Sequence, residues 1–350
     1  MAAGRLQGVQ RVLGKLQASV SAGNYYEAHQ MYRTLYFRYC AQKKYDELLE
    51  LLYDGSMLFF RHDQQASGAD VSLLYVDVLT KSETQPSEIY INKLCGLFAM
   101  MKADEVPERD VFLASALRWS ISGRSPGNQQ LKTGHPLLHR SIAQIYWQEK
   151  NYSMARYHFL HSTDGPGCAK MLVELHTQQG YASEIDLFIA QAVLQYLCLR
   201  NKSTANEAFK SYTSQHPCIK RGPPYLLPLL NFIWFLLQAV ESTPMATSGM
   251  KFGMDSRTSD EQNSFGKLPV FTVLCEQYQL SIKRDPSYRD YLDKIGQIFF
   301  GAVPPQQKPQ GLFSNFLGSI MSAMENSDSE EDGRPSTSGS QKRMETDELD

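Results

Sequence analysis

Apolar residues recur at helical spacing almost without interruption from about Val9 to Gly301. Apolar positions three and four residues apart line one face of an α-helix, whereas strands alternate, and no convincing alternation occurs along this stretch. Proline near a helix start has a preset φ and loses no hydrogen bond, so we expect helix openings at Pro86, Pro107, Pro136 and Pro286. The predicted breaks fall at Gly23-Asn24, Gln42-Lys43, Gln85-Pro86, Val106-Pro107, Ser122-Gly123, Gly134-His135, Asp164-Gly165, Gly180, His216-Pro217 and Asp285-Pro286.

A degenerate repeat runs through these helices. The stretch Gly23 to Ala28 is echoed by Lys150 to Ala155, and each has a small or polar turn, a Tyr, and an Ala three residues later. This is the second-helix signature of tetratricopeptide-like hairpins, in which the Ala allows close approach to the first helix. The pattern therefore predicts an all-α fold, an α-solenoid of tetratricopeptide-like helical hairpins with irregular repeats.

Two segments depart from the helical pattern and set the predicted domain organisation. Residues 241–267 are rich in Ser, Thr, Gly and Met and predict a flexible insertion, while Pro, Gln, Ser and acidic residues dominate 302–350 and predict a disordered acidic tail. Residues 1–240 then form the N-terminal and central solenoid, and 268–301 the C-terminal solenoid helices. Within the tail, 312–324 is a short amphipathic segment, and Ser327 and Ser329 precede acidic residues in a manner that suits acid-directed kinases.

Charge is nearly balanced overall but divided between the ends. The 350 residues include 35 basic and 37 acidic ones, a net charge of −2, which argues against a general nucleic-acid binder. Residues 1–44, however, carry seven basic residues against Glu27 alone, and 325–350 carry nine acidic residues against three basic ones. The basic end favours an acidic protein partner or nucleic acid through long-range attraction, and a simply solvated face is the alternative. Its candidate contacts are Arg11, Lys15, Arg33 and Arg38.

The apolar run from Tyr225 to Val240 is the second candidate interaction element. Its apolar residues cover every face of a helix, yet it contains Pro228, Asn231 and Gln238 and is shorter than a membrane span requires. We therefore expect a buried helix whose exposed part is an interface, and no stable membrane insertion. Predicted helices from Leu268 to Arg284 and from Pro286 to Gly301 would pack beside it. The candidate interface residues are Trp234, Phe235, Phe271, Leu274 and Tyr278, with membership of the core as the alternative for Trp234 and Phe235.

The sequence offers little for catalysis. The six cysteines lie far apart without a C-x-x-C pair, and the first 20 residues lack an apolar run of signal-peptide length, so reduced thiols and a cytosolic location are expected. His135, His139, His158 and His161 could share helix faces, but no H-E-x-x-H motif or nearby carboxylate completes a metal site. We expect no catalytic residues, no metal and no cofactor; a metal-dependent hydrolase built on these histidines is an open alternative.

Several long strings in the chain closely resemble the Golgi-to-ER traffic protein 4 family, a subunit of the transmembrane-domain recognition complex. One is Tyr-Glu-Ala-His-Gln-Met-Tyr-Arg-Thr-Leu at 26–35, and another is the apolar string Leu-Leu-Asn-Phe-Ile-Trp-Phe-Leu-Leu at 229–237. The remaining strings are 134–136, 151–169, 271–278 and 284–286, so that the similarity covers roughly residues 9–301. The insertion at 241–267 is longer than the resemblance leads us to expect.

The resemblance implies a cytosolic helical adaptor without enzyme activity that helps deliver tail-anchored membrane proteins to the endoplasmic reticulum. In such proteins the N-terminal helices dock the targeting ATPase, and the C-terminal helices hold a ubiquitin-like subunit and a large BAG-family scaffold. This division agrees with the basic N-terminal end and the aromatic C-terminal helices. A helical-repeat RNA-binding protein remains the alternative from another class, although the irregular spacings lack the regular base-reading positions that it requires.

Overall fold

The helices form two layers, because most of them contact the next helix but one in the same layer and a sequence neighbour in the other layer. A computed structural model describes residues 2–121, 133–241 and 268–303, with the backbone alone for 2–10. The amphipathic segment 312–324, Ser327, Ser329, the tail beyond Val303 and residues 242–267 of the predicted insertion lie outside the described residues. Within the described residues we find α-helices and one short 3-10 helix, Ala182–Glu184, but no strand, which confirms the predicted all-α fold.

The first half of the body stacks its helices in two rows. In one layer α2, α4 and α6 contact one another in turn, and in the other α3, α5 and α7 do so, while α1 packs on α2. These helices are α1 (Ala2–Ser21), α2 (Tyr25–Gln42), α3 (Tyr45–Arg61), α4 (Gln65–Lys81), α5 (Glu88–Met100), α6 (Glu108–Ser120) and α7 (Pro136–Gln148).

The second half continues this arrangement and then turns back. Helices α8, α10 and α12 form one row and α9 packs on α11. The last helices do not extend the stack, since α13 and α14 pack on α12 while α15 packs on α10. The helices are α8 (Tyr152–Leu160), α9 (Gly165–Gln179), α10 (Ile185–Cys198), α11 (Lys202–Gln215), α12 (Pro228–Glu241), α13 (Leu268–Gln277), α14 (Gln279–Ile282) and α15 (Ser287–Phe299).

The predicted repeat signature is confirmed at both places. Ala28 on α2 and Ala155 on α8 are fully buried, as expected where a small side chain lets two helices approach closely. Pro136 opens α7, and Pro107 and Pro286 immediately precede α6 and α15. One expectation was wrong in detail: the helix predicted from Leu268 to Arg284 is interrupted at Tyr278, which separates α13 from α14.

One turn geometry recurs where helices follow each other directly. After α1, α2, α3, α7 and α10, a residue with positive φ precedes the cap of the next helix, and only the first of these residues is glycine. The backbone N–H of the following residue reaches back to the carbonyl five residues earlier, as from Asn151 to Tyr146 at 2.9 Å and from Asn201 to Tyr196 at 2.9 Å. These bonds are those of the Schellman motif. The positive-φ residues are Gly23, Lys43, Asp63, Lys150 and Arg200.

A buried cation connects α6 and α7. Arg109 is almost fully buried, with its guanidinium 4.1 Å from the centre of the Phe98 ring, and its Nη1 donates to Glu149 Oε2 at 3.1 Å. A paired, stacked arginine of this kind holds its neighbours in one geometry. The two helices are therefore joined by side chains as well as through the chain.

Candidate interaction surfaces

The basic N-terminal residues lie on the first two helices. Arg11 and Lys15, four residues apart on α1, are exposed, as are Arg33 and Arg38 on α2. Arg33 has a partner within the chain, because its Nη1 lies 3.3 Å from Asp70 Oδ1 on α4, and the other Asp70 oxygen lies 2.7 Å from His29 Nε2. Asp70 thus neutralises part of this surface. We call the four basic residues together the N-terminal basic end.

Two exposed aromatic side chains beside these residues were missed by sequence reasoning. Tyr26 and Phe37 on α2 both project into solvent, and Phe37 is 65% exposed. Their spacing contains the signal that could have found them, since Tyr26 and Phe37 fall on the same side of the helix as Arg33. Exposed aromatic residues next to arginine are typical of protein interfaces.

A second surface lies at the opposite end of the solenoid, where α12 meets α13. Phe235 is 44% exposed, its ring centre is 4.7 Å from that of the half-buried Trp234, and it lies 6.5 Å from the ring of Tyr278. On α13, Val270 and Val273 are exposed and Leu274 is half-buried, a spacing that puts them on one side of the helix. We call this the C-terminal apolar face: Trp234, Phe235, Val270, Val273, Leu274 and Tyr278.

Phe271 is placed differently from the other interface candidates. Its side chain is fully buried and stacks on Phe300 with ring centres 4.5 Å apart and planes 10° from parallel. Helical spacing could not separate it from its neighbours, because apolar residues on both sides of α13 are needed to seal the core and to build a surface. Phe271 therefore supports the face from beneath.

The C-terminal helices are fastened to α10 by polar contacts. Arg284 Nη1 lies 2.7 Å from Oδ2 of Asp186, a carboxylate that is only 1% exposed, and Arg284 Nη2 also donates to the Ser183 carbonyl. Tyr288 Oη donates to the Leu187 carbonyl at 3.2 Å, and Gln195 Nε2 donates to Tyr291 Oη at 2.8 Å. These contacts hold α15 and the residues before it against α10.

Two of the four histidines considered for metal chemistry, His139 and His158, form a buried pair. Of the other two, His135 Nδ1 accepts from the Leu137 N–H and His161 Nδ1 lies 2.8 Å from the Tyr157 carbonyl. His139 Nε2 lies 3.2 Å from the Thr133 carbonyl, so it donates there, and its Nδ1 accepts from His158 Nδ1 at 2.9 Å. Both rings are buried, and burial lowers the pKa of each below its usual value. Among the described residues no group of three His, Cys, Asp or Glu side chains is arranged to hold a metal. The two rings are thus held as neutral hydrogen-bonding partners.

A second pair repeats this arrangement between α9 and the end of α11. His176 Nε2 lies 2.9 Å from the Tyr181 carbonyl, His216 Nε2 lies 2.9 Å from His176 Nδ1, and His216 Nδ1 accepts from the Cys218 N–H at 3.2 Å. The chain of bonds assigns one proton to each ring. Burial lowers the pKa of His216 to about 4, with a smaller contribution from His176.

No helix in the parts of the chain that the structure describes is both long and apolar enough to cross a membrane.

Comparison with known proteins identifies the family. The family model for Golgi to ER traffic protein 4 matches residues 42–324. The chain is 52% identical over 333 residues to a Golgi to ER traffic protein 4 homolog of Oryzias latipes, covering 95% of this chain and 94% of that protein. It is 51% identical to the Homo sapiens homolog, covering 94% and 92%. The crystal structure of C. therm. Get4 shares the fold, with a TM-score of 0.69 and 24% identity over 94% of this chain and all of that one. The chain therefore belongs to the Golgi to ER traffic protein 4 family.

Proposed function

We propose that this chain is a non-enzymatic cytosolic adaptor in the delivery of tail-anchored membrane proteins to the endoplasmic reticulum. It bridges a chaperone complex, made of a ubiquitin-like subunit and a large BAG-family scaffold, to the targeting ATPase. Family membership supports the role in this traffic pathway. The C-terminal apolar face carries the bridging part of the proposal, because contiguous exposed aromatic and aliphatic side chains are the usual mark of a stable protein interface.

The separation of the two surfaces suits an adaptor. The N-terminal basic end lies on α1 and α2, whereas the C-terminal apolar face lies on α12 and α13. A screened electrostatic contact forms and dissociates quickly, while an apolar contact lasts. Two partners bound to one folded body also meet at a raised effective concentration. Cargo held by the chaperone complex at one end would therefore meet the ATPase often, even though each ATPase contact is brief.

Co-expression tests the permanent interface. The full chain is expressed with the ubiquitin-like subunit and the C-terminal part of the BAG-family scaffold, and captured complex is compared for the native sequence and the double variant Phe235→Glu, Val273→Glu. We expect capture to fall by more than about tenfold, because two carboxylates would be desolvated in the contact.

The control for this experiment is the double variant Val111→Glu, Leu137→Glu on α6 and α7. Val111 and Leu137 are 57% and 40% exposed, close to the 53% of Val273 and the 44% of Phe235, so the two double variants disturb the monomer similarly, and circular dichroism verifies folding of each. Equal capture by the Phe235→Glu, Val273→Glu variant and the native chain would rule out this face as the permanent interface.

Charge reversal tests the N-terminal basic end. For the double variant Arg11→Glu, Lys15→Glu we expect the association rate with the targeting ATPase to fall about tenfold at low salt. The difference in rate between the variant and the native chain should shrink as salt rises, because long-range attraction is screened. Stopped-flow fluorescence at several ionic strengths measures the rate. Lys170→Glu, Lys210→Glu is the matched control, since both lysines are exposed and lie on the later helices α9 and α11. A similar salt-dependent loss in that control would indicate that only total charge matters.

A further inference from the structure

A cleft opens between α3 and α5, in the helix layer opposite to the one that contains α2 and α4. It has a volume of about 540 Å³. The α3 wall carries three carboxylates, Asp46, Glu47 and Glu50, and the α5 wall presents Ile89 and Tyr90. Ile89 is 68% exposed. The cleft thus combines an acidic wall with an apolar one.

One long cationic side chain of the protein already lies in this cleft. The Lys93 side chain is only 25% exposed, its Nζ lies 4.9 Å from the centre of the Tyr53 ring, and it is 3.7 Å from Glu50 Oε1. That distance exceeds a hydrogen bond, and Glu50 is 76% exposed, so its carboxylate can accept further donors. Glu47 is paired with Lys44 at 2.7 Å. The cleft therefore accommodates a cation on an aliphatic stem, and its acidic wall has capacity for more.

Next to the Tyr53 ring lies a second tyrosine, Tyr75, whose hydroxyl has hydrogen-bonding capacity that the described residues leave unused. Tyr75 on α4 is fully buried, and its Oη has no hydrogen-bond partner among the described residues. Its ring centre is 6.1 Å from that of Tyr53. Burial raises the pKa of Tyr75, and the charges that add to this effect are those of Tyr90, Tyr53 and Glu50. Tyr75 does not line the cleft, so its hydroxyl is a polar group of the core without a partner in the described part of the chain, and the surface open to a ligand consists of the two cleft walls and Lys93.

We propose that the α3–α5 cleft is a docking site for a basic peptide segment of a protein partner. Arginine or lysine side chains of that segment face Asp46 and Glu50, and an adjacent apolar residue covers Ile89. Arginine suits the cleft best, because its stem packs on apolar surface while its planar guanidinium stacks on tyrosine and binds carboxylates. This surface lies apart from both surfaces of the proposed adaptor, so its test is independent of that function.

Fluorescence anisotropy with a labelled synthetic peptide tests the site. The probe is Arg-Arg-Leu-Arg-Arg-Leu, the comparison peptide is Glu-Glu-Leu-Glu-Glu-Leu, and the full chain is titrated into each. We expect saturable binding of the basic peptide alone. The double variant Asp46→Asn, Glu50→Gln should weaken it about tenfold, and Ile89→Ser should weaken it further in combination.

The matched control is the double variant Asp104→Asn, Asp110→Asn, which removes two exposed carboxylates elsewhere. Asp104 lies just before α6 and Asp110 lies on it. It changes net charge by the same amount, and the acidic tail is common to all variants, so only the cleft distinguishes them. Retained affinity in the control with loss in the cleft variant supports the site. Equal loss in both, unchanged affinity in the cleft variant, or no saturable binding by the native chain would each overturn it.

Discussion

Arg284→Met is expected to lower the free energy of unfolding by about 3–5 kcal/mol, the range for breaking a buried ion pair by removing one partner. Asp186 is 1% exposed, and its second oxygen, Oδ1, already lacks a hydrogen-bond partner among the described residues. Without the guanidinium, the buried carboxylate loses its cationic partner and keeps an oxygen without a hydrogen bond among the described residues. Urea unfolding followed by circular dichroism measures the change, and the α15 helix, which this pair helps to hold on α10, should exchange its amide hydrogens faster.

Two further variants separate this effect from ordinary loss of a surface charge. Arg140→Met removes a cation that is 52% exposed and 3.2 Å from Asp164, and we expect a loss of about 1 kcal/mol or less. The double variant Asp186→Leu, Arg284→Met removes both partners of the pair and should be more stable than Arg284→Met alone. A single variant as stable as the double one would show that Asp186 does not depend on Arg284.

Stability is expected to fall by about 3 kcal/mol or more between pH 7.5 and pH 5 because His139, His158 and His216 are buried. In the unfolded chain each histidine has a pKa near 6.5, whereas burial lowers the pKa of His139, His158 and His216 in the folded protein. Below about pH 6.5 the unfolded state therefore binds more protons than the folded state, so the free energy of unfolding decreases as the pH falls. Urea midpoints across this range measure the slope.

The variant His139→Gln, His158→Gln tests the assignment. It should be less stable than the native chain at pH 7.5, since packing and a hydrogen bond change, but its stability should depend less steeply on pH. An identical pH slope in both proteins would assign the acid sensitivity to other groups.

The fold was largely predictable because its signals are local. Helical spacing, the alanines at 28 and 155, and Pro136 each act within a few residues, and each is found where expected. The interruption at Tyr278 was not predicted, because the helix pattern runs through it, and α14 instead packs on both α12 and α13.

The polar contacts were not predictable, because they join residues far apart in sequence. Arg284 and Asp186 are separated by 98 positions, and nothing local pairs them. A signal did exist, since Asp186 is an isolated acid in the apolar stretch that forms α10, and a buried acid requires a partner. For Phe271, periodicity identified an apolar residue in the right helix but could not decide between core and surface.

The recurrent positive-φ turns have a consequence for how such a chain can change length. Each joins two helices through only two or three residues with fixed hydrogen bonds, so one added residue would turn the following helix by about 100° about its axis and move its apolar side out of register. Insertions and deletions are tolerated only where connections are longer, such as those between α4 and α5 or α11 and α12. The short turns thus fix the rotation of each helix relative to the one before it. Variation in length among related chains should concentrate in the longer connections.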